Sequence, residues 1–111
     1  MKTIKFAHHL VQKILDGSKT ATWRLFDDKD LTTGDMLQFI DTDTSNPFAE
    51  AEITNVREKY LGEIENQDYE GHEPFESPEA MLATFRKYYG DMVSWDTPVK
   101  MISFRLLKTV L

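Results

Sequence analysis

The apolar positions of this chain change period repeatedly. Ile4 and Phe6 alternate with polar neighbours as in a short strand, and Leu10, Val11, Ile14 and Leu15 then recur at helical spacing up to Gly17, which supplies a stop. From Thr20 to Leu25 the alternation is strict. A strand there puts Ala21, Trp23 and Leu25 on one face and Thr20, Thr22 and Arg24 on the other. Phe26 to Asp35 reads as a loop closing at Thr33-Gly34-Asp35, followed by a strand from Met36 to Asp41 and a turn through Ser45-Asn46-Pro47. Ala49, Ala51 and Ile53 alternate before the phase slips to Val56, which predicts a strand with a bulge near Thr54 or Asn55. Ser77 suits an N-cap and Pro78 the first helical position, and Met81, Leu82, Phe85 and Tyr89 continue at helical spacing to Gly90. Ile102, Phe104 and Leu106 form a closing strand. These elements predict one domain over residues 1–111, a small mixed β-barrel with two helices, burying Ala21, Trp23, Leu25, Ile102, Phe104 and Leu106.

Composition is consistent with that core, since 41% of the 111 residues are hydrophobic and 12% aromatic. The absence of cysteine excludes disulfides, thiol nucleophiles and thiolate metal sites. The first residues lack the apolar stretch of a signal peptide and no apolar run approaches a membrane span, so the expected location is cytoplasmic. The net charge of −6 is unevenly spread: residues 1–24 and 97–111 together carry +7 and the middle −13. The ends could meet in a basic patch, although solvated lysines on terminal strands are the simpler expectation. Seven acids from Glu63 to Glu79 stand without a Lys or Arg between them, which predicts a solvated loop.

The segment Gly17-Ser18-Lys19-Thr20-Ala21-Thr22-Trp23-Arg24 concentrates chemistry. A glycine turn delivers a lysine, two hydroxyls and a guanidinium, groups able to hold an anion, polarise a carbonyl or attack an acyl carbon. An edge strand with its polar face in water accounts for the same pattern. His8, His9 and His72 lack the i, i+4 spacing of a metal motif and are expected at the surface, so neither metal nor cofactor is predicted. Among the aromatics, Trp23 is expected in the core and Trp95 is the better candidate to stack on a base. Arg57, Arg86 and Arg105 are expected to be exposed charges rather than phosphate contacts.

The Gly17-x-Lys19-Thr20-x-Thr22-x-Arg24 string, the Thr33-Gly34-Asp35 turn, the Glu70-Gly71 region and the Tyr88-Tyr89-Gly90 helix end together resemble the ASCH domain over nearly the whole chain. The resemblance implies an α+β fold, a PUA-like β-barrel of mostly antiparallel strands flanked by helices, with a polar cleft for RNA or nucleoside ligands. It also implies similarity to a bacterial branch that hydrolyses N4-acetylcytidine with a Lys, a Thr and a downstream Glu. Those roles carry over to Lys19, Thr22 and Glu73, with Glu70 as the alternative carboxylate and Arg24, Thr20, Glu70 and Trp95 as substrate-binding candidates.

In such a site Thr22 attacks the acyl carbon. Lys19 serves either as the base or as an oxyanion donor. A lysine titrates near ~10.4, so a neutral amine at pH ~7 requires about 4 kcal/mol of differential stabilisation, to which Arg24 contributes and a touching carboxylate is opposed. The expected activity is hydrolysis of a linear amide on an acylated pyrimidine nucleoside. A non-catalytic module recognising an exposed base or short RNA is the alternative, and an inert interaction domain is a third reading. An acidic chain repels a long phosphate backbone, which favours the small nucleoside. No membrane partner is expected, and the sequence is silent on oligomeric state.

Overall fold

In the computed structural model, which describes residues 1–109, the chain runs β1 (Lys2–Phe6), α1 (His8–Leu15), β2 (Ala21–Leu25), β3 (Met36–Asp41), β4 (Pro47–Tyr60), α2 (Pro78–Tyr89) and β5 (Pro98–Thr109). Two short 3-10 turns, Leu61–Glu63 and Asn66–Tyr69, lie between β4 and α2. The strands form one sheet in the order β1-β3-β4-β5-β2, parallel only between β1 and β3. It curls into a half-barrel whose edges are β1 and β2. The register slip between Ile53 and Asn55 is the expected bulge, and it falls just past the pairing of Met36 with Glu52, where β4 leaves β3 and runs on against β5.

Two apolar clusters hold this sheet. Ile4, Phe6, Phe39, Ile53, Ile102 and Phe104 pack with Ile14 of α1, while Trp23, Leu25, Val99 and Met101 pack with Met81 and Phe85 of α2. Neighbouring residues of β5 therefore belong to opposite clusters, and Met101, on the face opposite Ile102, is buried as well. Leu106 is half-buried instead of buried, because β2 pairs with β5 only as far as Ser103 and the strand beyond has β4 alone beside it. Ser77 Oγ accepts the Ala80 N–H at 3.1 Å and Pro78 opens α2, as expected. Among the described residues no helix is long and apolar enough to cross a membrane.

The acidic stretch is solvated, as its charge suggests, at Glu63, Glu65, Glu70, Glu76 and Glu79, but not at Asp68. Asp68 is buried, and receives Arg57 Nη1 at 2.9 Å, Lys59 Nζ at 2.8 Å and the Glu65 N–H at 2.8 Å. The cations come from β4, which pins the stretch against the sheet. The basic chain ends do not gather into a patch. Lys2 pairs with Asp35 and Lys100 with Asp27, both at 2.7 Å, and Arg105 pairs with Glu52. Arg86 is tied through Nε to the Val93 carbonyl at 2.7 Å.

Candidate functional site

The seam between the two sheet edges holds a cavity of about 580 Å³. The end of β1, the start of α1, Thr22 to Arg24 of β2, the segment at His72 and the Phe85–Tyr89 side of α2 form its walls. Lys19 reaches it because Gly17, at φ +86°, turns the chain after α1, while Asp16 Oδ1 accepts the Ser18 N–H at 2.8 Å. The lysine is only 3% exposed. Its Nζ donates to the Ala21 carbonyl at 2.7 Å and to Glu73 Oε2 at 2.8 Å. Thr22, also buried, lines the same cavity.

Glu73 is brought there by Gly71, whose carbonyl accepts the N–H groups of Thr20 at 2.8 Å and Ala21 at 3.0 Å. That pair of bonds docks the segment onto the start of β2. A side chain at Gly71 would place its Cβ 2.1 Å from Thr20 Oγ1, and the φ of +77° is itself one that other residues rarely adopt. The geometry thus selects Glu73 as the carboxylate beside Lys19 and leaves Glu70 exposed outside the cavity wall. Thr20 is likewise exposed, facing Gly71. Trp95 borders a separate groove with Leu61 and Met81, because the Gly62 N–H binds the Trp95 carbonyl at 2.8 Å and holds that loop away from the seam.

His72 is not the surface histidine expected from spacing. Its side chain is 6% exposed, stacked on Trp23 with ring centroids 4.2 Å apart and planes inclined by 20°. Trp23 thereby serves both the core and the cavity wall. His72 Nδ1 lies 2.7 Å from the Glu73 carbonyl oxygen, which only accepts, so Nδ1 carries the hydrogen and Nε2 is left with its lone pair. Nε2 stands 3.8 Å from Glu73 Oε1. Burial, reinforced by the charge of Lys19, pushes the His72 pKa down to about 4, keeping the ring neutral near pH ~7.

Burial also lowers the Lys19 pKa; Glu73 opposes this, and the Arg24 charge adds to it. Burial, the largest single effect on Glu73, would raise it, but the hydrogen bond and charge of Lys19 together with His72 and a backbone hydrogen bond hold the carboxyl below its usual range. Arg24 Nη2 donates to the Lys5 carbonyl at 2.9 Å, bridging the two sheet edges, and its Cζ lies 5.3 Å from the Phe6 ring centroid. His8 belongs to a different arrangement, with Nδ1 2.6 Å from Asp41 Oδ2, and the hydrogen bond and charge of Asp41 raise its pKa.

No family model matches the chain, and no curated protein is detectably similar to it. Solved structures do share its fold. Protein EF3133 from Enterococcus faecalis V583, described as DUF984, is 19% identical with a TM-score of 0.78, over 93% of this chain and 72% of that one. The ASCH domain from Lactobacillus crispatus JV V101 is 18% identical with a TM-score of 0.61, over 90% of this chain and 71% of that one. ASCH from Zymomonas mobilis is 13% identical with a TM-score of 0.60, over 97% of this chain and 71% of that one. The chain therefore has the PUA-like fold of ASCH domains.

Proposed function

We propose that this cavity hydrolyses an N-acylated pyrimidine nucleoside, with N4-acetylcytidine as the representative substrate, to the free nucleoside and a carboxylate. The observation that carries the reading is the placement of Lys19, buried between the Ala21 carbonyl and Glu73 in the cavity that Thr22 lines. A neutral amine has two N–H groups, which those two acceptors satisfy, and its lone pair is then free for a proton. Burial shifts Lys19 toward the neutral amine, and the Arg24 charge acts in the same direction.

The sequence of steps follows from that lone pair. Thr22 Oγ1 attacks the acyl carbon as Lys19 takes its proton, giving a tetrahedral intermediate. The C–N bond breaks, Lys19 returns the proton to the departing exocyclic nitrogen, and the acyl group remains as an ester on Thr22. Water deprotonated by Lys19 then attacks the ester and releases the carboxylic acid and the free hydroxyl. Glu73 orients the amine throughout, and the aromatic wall of Trp23, His72 and Tyr89 offers faces for a pyrimidine.

The test is release of cytidine from N4-acetylcytidine by the wild-type chain, with Thr22→Ala inactive and Glu70→Gln unaffected. A well-folded wild type that turns over no acylated cytidine refutes the hydrolase reading. Binding of short RNA without turnover in that sample would favour the recognition module instead.

A further inference from the structure

Arg24 is a cation without a counter-ion. Lys19 is matched by Glu73, but no carboxylate lies within ion-pair distance of Arg24 among the described residues. Its Nη2 is bound to the neutral Lys5 carbonyl, Tyr89 lies beside it, Asp27 acts on it only from beyond ion-pair distance while paired with Lys100, and its Nε is buried with no acceptor. The neighbouring Trp23, also on the cavity wall, has a buried Nε1 with no acceptor. Glu73, the carboxylate of this cavity, is engaged by Lys19, so the buried Arg24 Nε is left with no negative partner in the wall. Burial of an unpaired charge is costly, and a ligand anion would relieve it.

A second feature of the same cavity agrees. The first turn of α1 carries no acid of its own and its cap, Ala7, has no side chain able to bind the His8 and His9 N–H groups, while Ala7, His9 and Leu10 all line the cavity; Asp41 and Asp43 stand beside that turn, with Asp41 held by His8 Nδ1 at 2.6 Å. Exposed Lys5 lies at the same end. Outside the cavity the terminal cations are largely held by acids, and the chain as a whole is negative. Such a site takes one anionic group on a small molecule more readily than a long polyanion.

The geometry points to a substrate that carries an anionic substituent, a phosphate monoester or a carboxylate, received by Arg24 at the β1 side of the cavity while its acyl group lies at Thr22. This rests on the hydrolase reading above. Thr22 and Arg24 share one face of β2, roughly 7 Å apart along the strand, so one small molecule spans both.

The experiment compares N4-acetylcytidine, its 5′-monophosphate and N4-succinylcytidine as substrates for the wild type, Arg24→Gln and Arg24→Lys. The expected result is that one of the charged compounds exceeds the neutral nucleoside in kcat/KM by about tenfold or more, a preference lost in Arg24→Gln and partly kept in Arg24→Lys. Which compound wins tells phosphate from carboxylate. Binding of the same three compounds to Thr22→Ala, measured by calorimetry, separates the two ideas. Tighter binding of a charged compound in the absence of any wild-type turnover upholds the anion site and refutes the hydrolase. Should Arg24→Gln fail to fold, the wild-type comparison and Arg24→Lys still decide. Wild type that neither binds nor turns over either charged compound better than the neutral one overturns the inference.

Discussion

Lys19 Nζ lies 2.8 Å from Glu73 Oε2, although 54 positions separate the two residues in the chain. The contact joins the turn after α1 to the segment before α2, and it places the ammonium and carboxylate where each alters the other's protonation. Burial lowers the lysine while the carboxylate restrains that fall. The balance between these effects decides whether the amine accepts a proton.

Lys19→Arg should be almost as inactive as Lys19→Ala, losing about a hundredfold or more in kcat, because a guanidinium does not give up its proton. Cytidine release by variants with native circular dichroism is the measurement. Substantial activity in Lys19→Arg would assign Lys19 to oxyanion stabilisation instead.

Glu73→Gln removes the charge that holds Lys19 protonated. The Lys19 pKa should fall further, measurable by NMR titration of the labelled side chain, and stability at pH ~7 should drop by about 1–3 kcal/mol. An unchanged titration would mean that the ion pair does not govern the amine.

Acid should weaken the fold through His72. The folded ring titrates at about 4 and the unfolded one at its ordinary value near 6.5, so between these limits the unfolded chain binds a proton that the folded chain refuses. Stability therefore falls as pH drops through that window, by up to about 3 kcal/mol. His8, raised by Asp41, acts in the opposite sense. Urea melts at pH ~7 and ~4.5 should show a smaller difference in His72→Phe than in wild type.

Gly71→Ala should lower stability by about 1–3 kcal/mol, because the new Cβ meets Thr20 and the backbone conformation is strained. Activity should fall with it, since the same segment carries Glu73. Thr20→Ala in that background should restore only part of the loss, as it removes the clash at Oγ1 but not the strain at φ +77°. Thermal melts and cytidine release check both.

Local chemistry was the readable part of the sequence. Ser77 and Pro78 announce α2, the alternation around Trp23 announces β2, and the phase slip before Val56 announces the bulge, because each depends on residues close in the chain. Burial at Asp68 was hidden. Nothing within the acidic run neutralises it, and the cations that do so, Arg57 and Lys59, become its neighbours only once β4 passes beneath. His72 was misread for the same reason, since its stacking partner Trp23 lies on a distant strand. The motif around Lys19 signalled chemistry and the family resemblance put Glu73 ahead of Glu70, but what docks that segment beside Lys19, the two N–H bonds to the Gly71 carbonyl, is a long-range feature with no local trace.

The Arg24 bridge to the Lys5 carbonyl has a consequence for the molecule in a crowded solution. An incompletely closed sheet ordinarily presents two rows of unmatched backbone groups, each a template on which a neighbouring molecule can add a strand. Here one guanidinium spans the two borders, and the Lys5 carbonyl, which a strand added at the β1 border would need, is already taken.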